Sequence, residues 1–123
     1  MDQKSYEISS SWNEDILKIV ISGMVNKYEA NKIALEIFDL ANEQKPDRVL
    51  IDCRKLQGRI GVLDTYYHVK EYPITQFRAS KNAILDNKEN ESYYTFHETT
   101  SANSGFFLKY FSDESDAIEW LRQ

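Results

Sequence analysis

At 123 residues, with 41% hydrophobic and 28% charged positions, the chain has the composition of one folded domain over residues 1–123 that needs no disulfide staple. A net charge of −5 and the lack of a large Lys/Arg cluster exclude nucleic-acid binding. Cys53 is the single cysteine, no apolar run reaches membrane-spanning length, and the opening MDQKSYEISSSW has no signal-like core; the chain reads as cytoplasmic, with export as the alternative.

Residues 5–12 alternate, with Tyr6, Ile8, Ser10 and Trp12 on one side and Glu7, Ser9 and Ser11 on the other, which is the pattern of a half-buried strand. Asn13, Glu14 and Asp15 supply a turn. Residues 16–22, ILKIVIS, are apolar on nearly both faces and form a second strand deeper in the sheet. The short connection makes the pair an antiparallel hairpin.

Asn26 is a helix N-cap with Glu29 three residues on, and Ala30, Ile33, Ala34, Ile37, Leu40 and Ala41 follow at helical spacing. Pro46 stands just beyond the end. Residues 49–53 form a β-branched, apolar strand that a helical crossover makes parallel to an earlier one. Gly58 and Gly61 punctuate the loop after it. A second helix is predicted over 62–72, with Val62, Tyr66 and Val69 on one stripe, Leu63 and Tyr67 beside it, and Pro73 ending it.

Residues 82–86 (NAILD) make a short strand. Residues 88–103 carry Tyr93, Phe96 and Thr100 at helical spacing, and the α/β alternation favours helix over strand there. Residues 106–111 form the last strand. Ser112 caps a closing helix with an acidic first turn and a buried side of Ala117, Ile118 and Leu121, and Trp120 covers the seam. The order ββαβαβαβα predicts an α/β fold: a mixed sheet of about five strands with an N-terminal antiparallel hairpin, then parallel βα units, and about four helices.

Three stretches carry a resemblance: VLIDCRKLQG leading into a helix, the strand NAILD, and FFLKYF followed by a short acidic-capped helix ending in AIEWL. With this element order they resemble the SpoIIAA-like proteins of the STAS group, which includes anti-sigma-factor antagonists, over roughly residues 5–122. The resemblance is nearest to the uncharacterised SpoIIAA-like branch, which is sometimes compared with lipid-binding Sec14 domains. It implies a non-enzymatic regulatory domain that binds a protein partner, without a cofactor. In the antagonists a serine after the central strand is phosphorylated within an Asp-Ser-Ser-Gly-like motif. Here the matching Gln57-Gly58-Arg59-Ile60-Gly61 has no hydroxyl, and Thr65, the nearest, lies outside the motif.

Several side chains invite a sharper reading beside a plainer one. Asp52 ends the central strand, where a carboxylate can face a ligand or, more simply, accept backbone N–H bonds from its own loop. Arg54, Lys55 and Arg59 precede a helix N-terminus and could hold one phosphate or carboxylate, with solvated loop charges as the plainer reading. Cys53 lacks a base in any known motif and reads as a small hydrophobe. His68, one turn after Asp64, and His97, beside Glu98, read as ordinary helix pairs, so an enzyme using Asp52, His68 or Cys53 is the weakest reading, and no metal-ligand spacing occurs. Tyr66, Tyr67, Tyr72 and Phe77 cannot all face the sheet, and they suggest a partner surface or the rim of an apolar small-molecule or lipid pocket. The partners considered are therefore a protein, an apolar ligand or lipid, and a second copy of the chain.

Overall fold

The computed structural model describes residues 5–58, 81–103 and 107–123. The predicted hairpin is present. β1 (Tyr6–Asn13) and β2 (Ile16–Met24) pair antiparallel in unbroken register from Tyr6↔Gly23 to Asn13↔Ile16. Glu14 opens the short connection with a positive φ of 56°. Gly23 has a φ of +106°, and a Cβ there would stand 2.3 Å from the Ser5 carbonyl oxygen, so only glycine fits.

Helix α1 (Lys27–Gln44) starts where the cap predicts: Asn26 Oδ1 accepts from the N–H groups of Tyr28 and Glu29 at 2.9 and 3.0 Å. It ends at Lys45, whose left-handed backbone (φ 52°) donates to the Ala41 carbonyl, with a buried Pro46 next. The crossover delivers β3 (Arg48–Gln57) parallel to β2.

β3 is ten residues long, where five were expected. Its polar second half stays in the sheet because Ser22, Gly23 and Met24 pair with Lys55, Leu56 and Gln57. Arg54 and Lys55, expected in a loop, are strand residues. A bulge makes this compatible with burial: Val20 faces Asp52 and Ser22 faces Lys55, so Cys53 and Arg54 both stand against Ile21. The extra residue shifts the alternation, and Leu56 therefore packs on the same side as Ile51 and Cys53. Gly58 follows with a φ of +87°, its Cα so close to Val25 that a Cβ would lie 2.8 Å from that carbonyl oxygen.

β4 (Lys81–Leu85) continues the parallel order, and a 3-10 turn (Lys88–Asn90) leads into α2 (Glu91–Asn103). β5 is Lys109–Phe111, shorter than expected, since Phe107 and Leu108 lie outside the ladder. α3 (Glu114–Leu121) is capped by Asp113 instead of Ser112: Asp113 Oδ1 accepts from the N–H groups of Ser115 and Asp116 at 2.8 and 3.2 Å. Asp113 has the extended backbone a cap requires, one residue nearer the helix. The sheet order is β1-β2-β3-β4-β5. The described residues contain three α-helices; the fourth expected one, over 62–72, lies outside them.

Both sheet faces are covered. On one, Tyr6, Leu17, Ile19, Ile21 and Val49 pack with Ile33, Ile37 and Leu40 of α1. On the other, Ile16, Leu50, Ala83 and Leu85 pack with Ala117 and Leu121 of α3. Trp120 and Phe111 flank this second core, their rings 5.6 Å apart, as the seam reading expects. α3 has no cation in its last turn, and the sheet supplies two: Lys81 Nζ donates to the Trp120 and Gln123 carbonyls, and Arg48 Nε to that of Leu121.

Candidate functional site

The carboxyl ends of β3, β4 and β5 converge on the edge where open α/β sheets bind ligands and partners. Asp52, 6% exposed, closes the apolar part of β3. Its Oδ1 accepts from the Arg54 backbone N–H at 3.0 Å, the turn-capping role expected from sequence. The bulge adds what sequence did not suggest. It brings the Arg54 guanidinium back over Asp52, with Nε at 3.0 Å from Oδ1 and Nη2 at 2.8 Å from Oδ2. Nη2 also donates to Glu114 Oε1 at 3.0 Å, and Lys18 Nζ reaches Glu114 Oε2 at 3.1 Å. Lys18, Glu114, Arg54 and Asp52 thus form a chain of alternating charge that ties β2, β3 and the first turn of α3.

The electrostatics follow from the geometry. Burial opposes the charged form of Asp52, but the Arg54 guanidinium and backbone N–H, aided by Lys18, outweigh it and hold the carboxyl below its ordinary value. The Asp52 hydrogen bond raises the Arg54 pKa. A carboxylate held low by its own guanidinium is a weak base, so Asp52 is poorly suited to proton abstraction. Arg54 is likewise committed to two carboxylates instead of waiting for an external anion. Of the three predicted cations, Lys55 is exposed and makes no ion pair with a described residue, and Arg59 lies outside the described residues.

β3 outruns its neighbour. Asp52↔Leu85 is the last pair with β4, so residues 53–57 extend past it, tethered on that side by Asn87 Nδ2 donating to the Arg54 carbonyl at 2.9 Å. Asn87 is positioned by the buried Asp86, whose Oδ1 accepts from the Asn87 N–H and from Asn90 Nδ2 at 2.7 and 3.2 Å. The Tyr94 hydroxyl closes the turn on the Asp86 and Asn87 carbonyls.

Cys53 packs half-buried against the α1-side core, as a small hydrophobe. His97 is a correction: it is buried, with Nδ1 2.7 Å from the Tyr110 hydroxyl, and Glu98 Oε1 accepts the Tyr110 N–H. The two residues fasten α2 to β5 where a surface helix pair was expected. His68, Tyr66, Tyr67, Tyr72 and Phe77 lie outside the described residues. Sequence missed Lys18, Glu114 and Asn87 because their partners are distant in the chain, Glu114 lying 60 positions from Arg54, whereas Asp86, bonded by residues one and four positions on, carried the same strand-end signal as Asp52. Among the described residues no cluster of three or more metal-ligating side chains occurs, and no helix is long and apolar enough to cross a membrane.

This arrangement is a SpoIIAA-like α/β fold of the STAS type. Solved structures share it, two of which follow. An anti-sigma factor antagonist from Mycobacterium paratuberculosis is similar over 97% of this chain and 96% of its own, with a TM-score of 0.59 at 12% identity. An uncharacterized protein with a SpoIIAA-like fold from Shewanella loihica is similar over 98% of both chains, with a TM-score of 0.56 at 20% identity. No protein-family model and no curated protein matches the sequence.

Proposed function

We propose that this chain is a non-enzymatic regulatory domain of the cytoplasm that binds a protein partner through the projecting end of β3 and the segment after it. The contact residues are Lys55, Arg59, Tyr66 and Tyr67, with Asp52 and Arg54 as the scaffold beneath. The observation that carries this reading is the five-residue extension of β3 beyond β4. It presents the exposed Lys55 on a strand that the Asp52–Arg54–Glu114 ion pairs and the Asn87 tether hold rigid. A preorganised backbone loses little entropy on binding, which suits a docking edge. The anti-sigma factor antagonist among the structural neighbours supports the same reading. Without a hydroxyl in 57–61, binding is not switched by phosphorylation at that place.

The test is site-specific photocross-linking from position 55 and, as a control, from the exposed Lys32 on α1. A single saturable protein adduct from 55 and none from 32, competed away by excess unlabelled wild-type chain but not by its Lys55→Glu variant, is the expected result. Equal labelling from both positions would sink the proposal. So would no adduct at all combined with co-purified lipid in native mass spectra, which would favour a carrier.

A further inference from the structure

β1 is the edge strand of the sheet, with β2 as its one paired strand among the described residues. The hydrogen bond from Met24 N–H to the Ser5 carbonyl, 2.9 Å, sets the phase of the hairpin. Odd-numbered residues from Ser5 to Asn13 exchange bonds with β2, so the N–H and C=O groups of Ile8, Ser10 and Trp12 point away from the sheet. Among the described residues no backbone bond reaches these outward groups. Edge strands of this length are ordinarily blunted by proline, lysine, a bulge or brevity. β1 has eight residues, a continuous register, no proline, glycine or lysine, and one charge, Glu7.

We propose that β1 pairs antiparallel with β1 of a second copy of this chain, about a two-fold axis through Ser10, joining two five-stranded sheets into one. The strand is complementary to itself in that register. An axis normal to the sheet keeps every side chain on its own face, so opposed residues share parity. Ser10 faces Ser10, Ser9 faces Ser11, and Glu7 faces Asn13, so no like charges are opposed and only small hydroxyls crowd the axis. Ile8 faces Trp12 twice, once on each side of the axis. Both lie on the α1 side, where Ile8 packs on the core and Trp12, 47% exposed, is steadied by its indole N–H on Gln44 Oε1 at 3.2 Å. An aliphatic–aromatic cross-strand pair would cover the exposed indole. This pairing is independent of the docking edge at Lys55, which belongs to β3.

Sedimentation velocity over a dilution series of the full chain provides the test, with a concentration-dependent dimer expected for the wild type. Ser10→Pro deletes an outward N–H while sparing the β1–β2 ladder, and should weaken the dimer at least about tenfold. Ser10→Lys and Ser10→Glu, exposed changes that leave the hairpin intact, should each be monomeric at low salt and form a heterodimer when mixed. A monomeric wild type at every concentration would overturn the proposal. A dimer that tolerates all three substitutions would overturn it equally, placing the contact elsewhere.

Discussion

Replacing Arg54 with Met keeps the aliphatic stem but leaves Asp52 buried without its cation. Two hydrogen bonds to Asp52 and one to Glu114 are lost, and the bond from the residue-54 backbone N–H is kept. Removing one partner of a buried pair costs roughly 3–5 kcal/mol, whereas exposed pairs are worth about 1 kcal/mol or less. Asp52 is buried, but the Arg54 side chain is 40% exposed, so water both screens the pair and partly rehydrates the carboxylate. The expected loss is about 2 kcal/mol at neutral pH, read as a fall of roughly 1 M in the urea midpoint. The pH dependence has a definite sign. In the wild type Asp52 titrates below 3.8. The stability it draws from Arg54 is therefore full above that value and is lost as pH falls through the lower folded pKa. In the variant, burial prevails and raises the Asp52 pKa, so the penalty shrinks as the solution is acidified toward that raised value. In an Asp52→Asn background the Arg54→Met cost should largely vanish. A loss below about 0.5 kcal/mol, or one undiminished when position 52 carries a neutral amide, would refute the coupling.

Gly58→Ala places a methyl 2.8 Å from the Val25 carbonyl oxygen at a φ of +87°, and urea unfolding should show a loss of roughly 1–3 kcal/mol. Glu14→Gly removes a side chain from a positive-φ turn position and should raise stability by about 0.5 kcal/mol; a loss would mean that the Glu14–Arg122 ion pair outweighs the backbone strain. Asp113→Ala removes the α3 cap and should lower the melting temperature above the ordinary carboxylate range. Ser115 and the Asp116 N–H hold the Asp113 pKa low, so the difference should fade as pH falls through that folded value.

Local chemistry was legible wherever a few neighbouring residues suffice. Asn26 reads as a cap because its side chain needs only the N–H groups two and three positions on. Asp52 reads as a turn acceptor for the same reason. Ser112 and Asp113 can both cap, and the choice rests on which one stands directly before the first helical residue, Glu114. The role of His97 has no local signature because its partner, Tyr110, lies on a different element.

The order of the described strands and helices, the two faces of the hairpin, the start of α1 and the absence of a hydroxyl in 57–61 were determined by sequence, since periodicity, capping and composition are properties of adjacent residues. Only the tertiary structure decided that β3 runs to Gln57 and that Arg54 is already engaged. A strand of polar residues is stable there because Ser22 to Met24 supply its ladder, and a guanidinium selects carboxylates two and sixty positions away by distance in space. The same long-range pairing turned a presumed basic loop into a braced strand end, with Lys55 as its exposed cation.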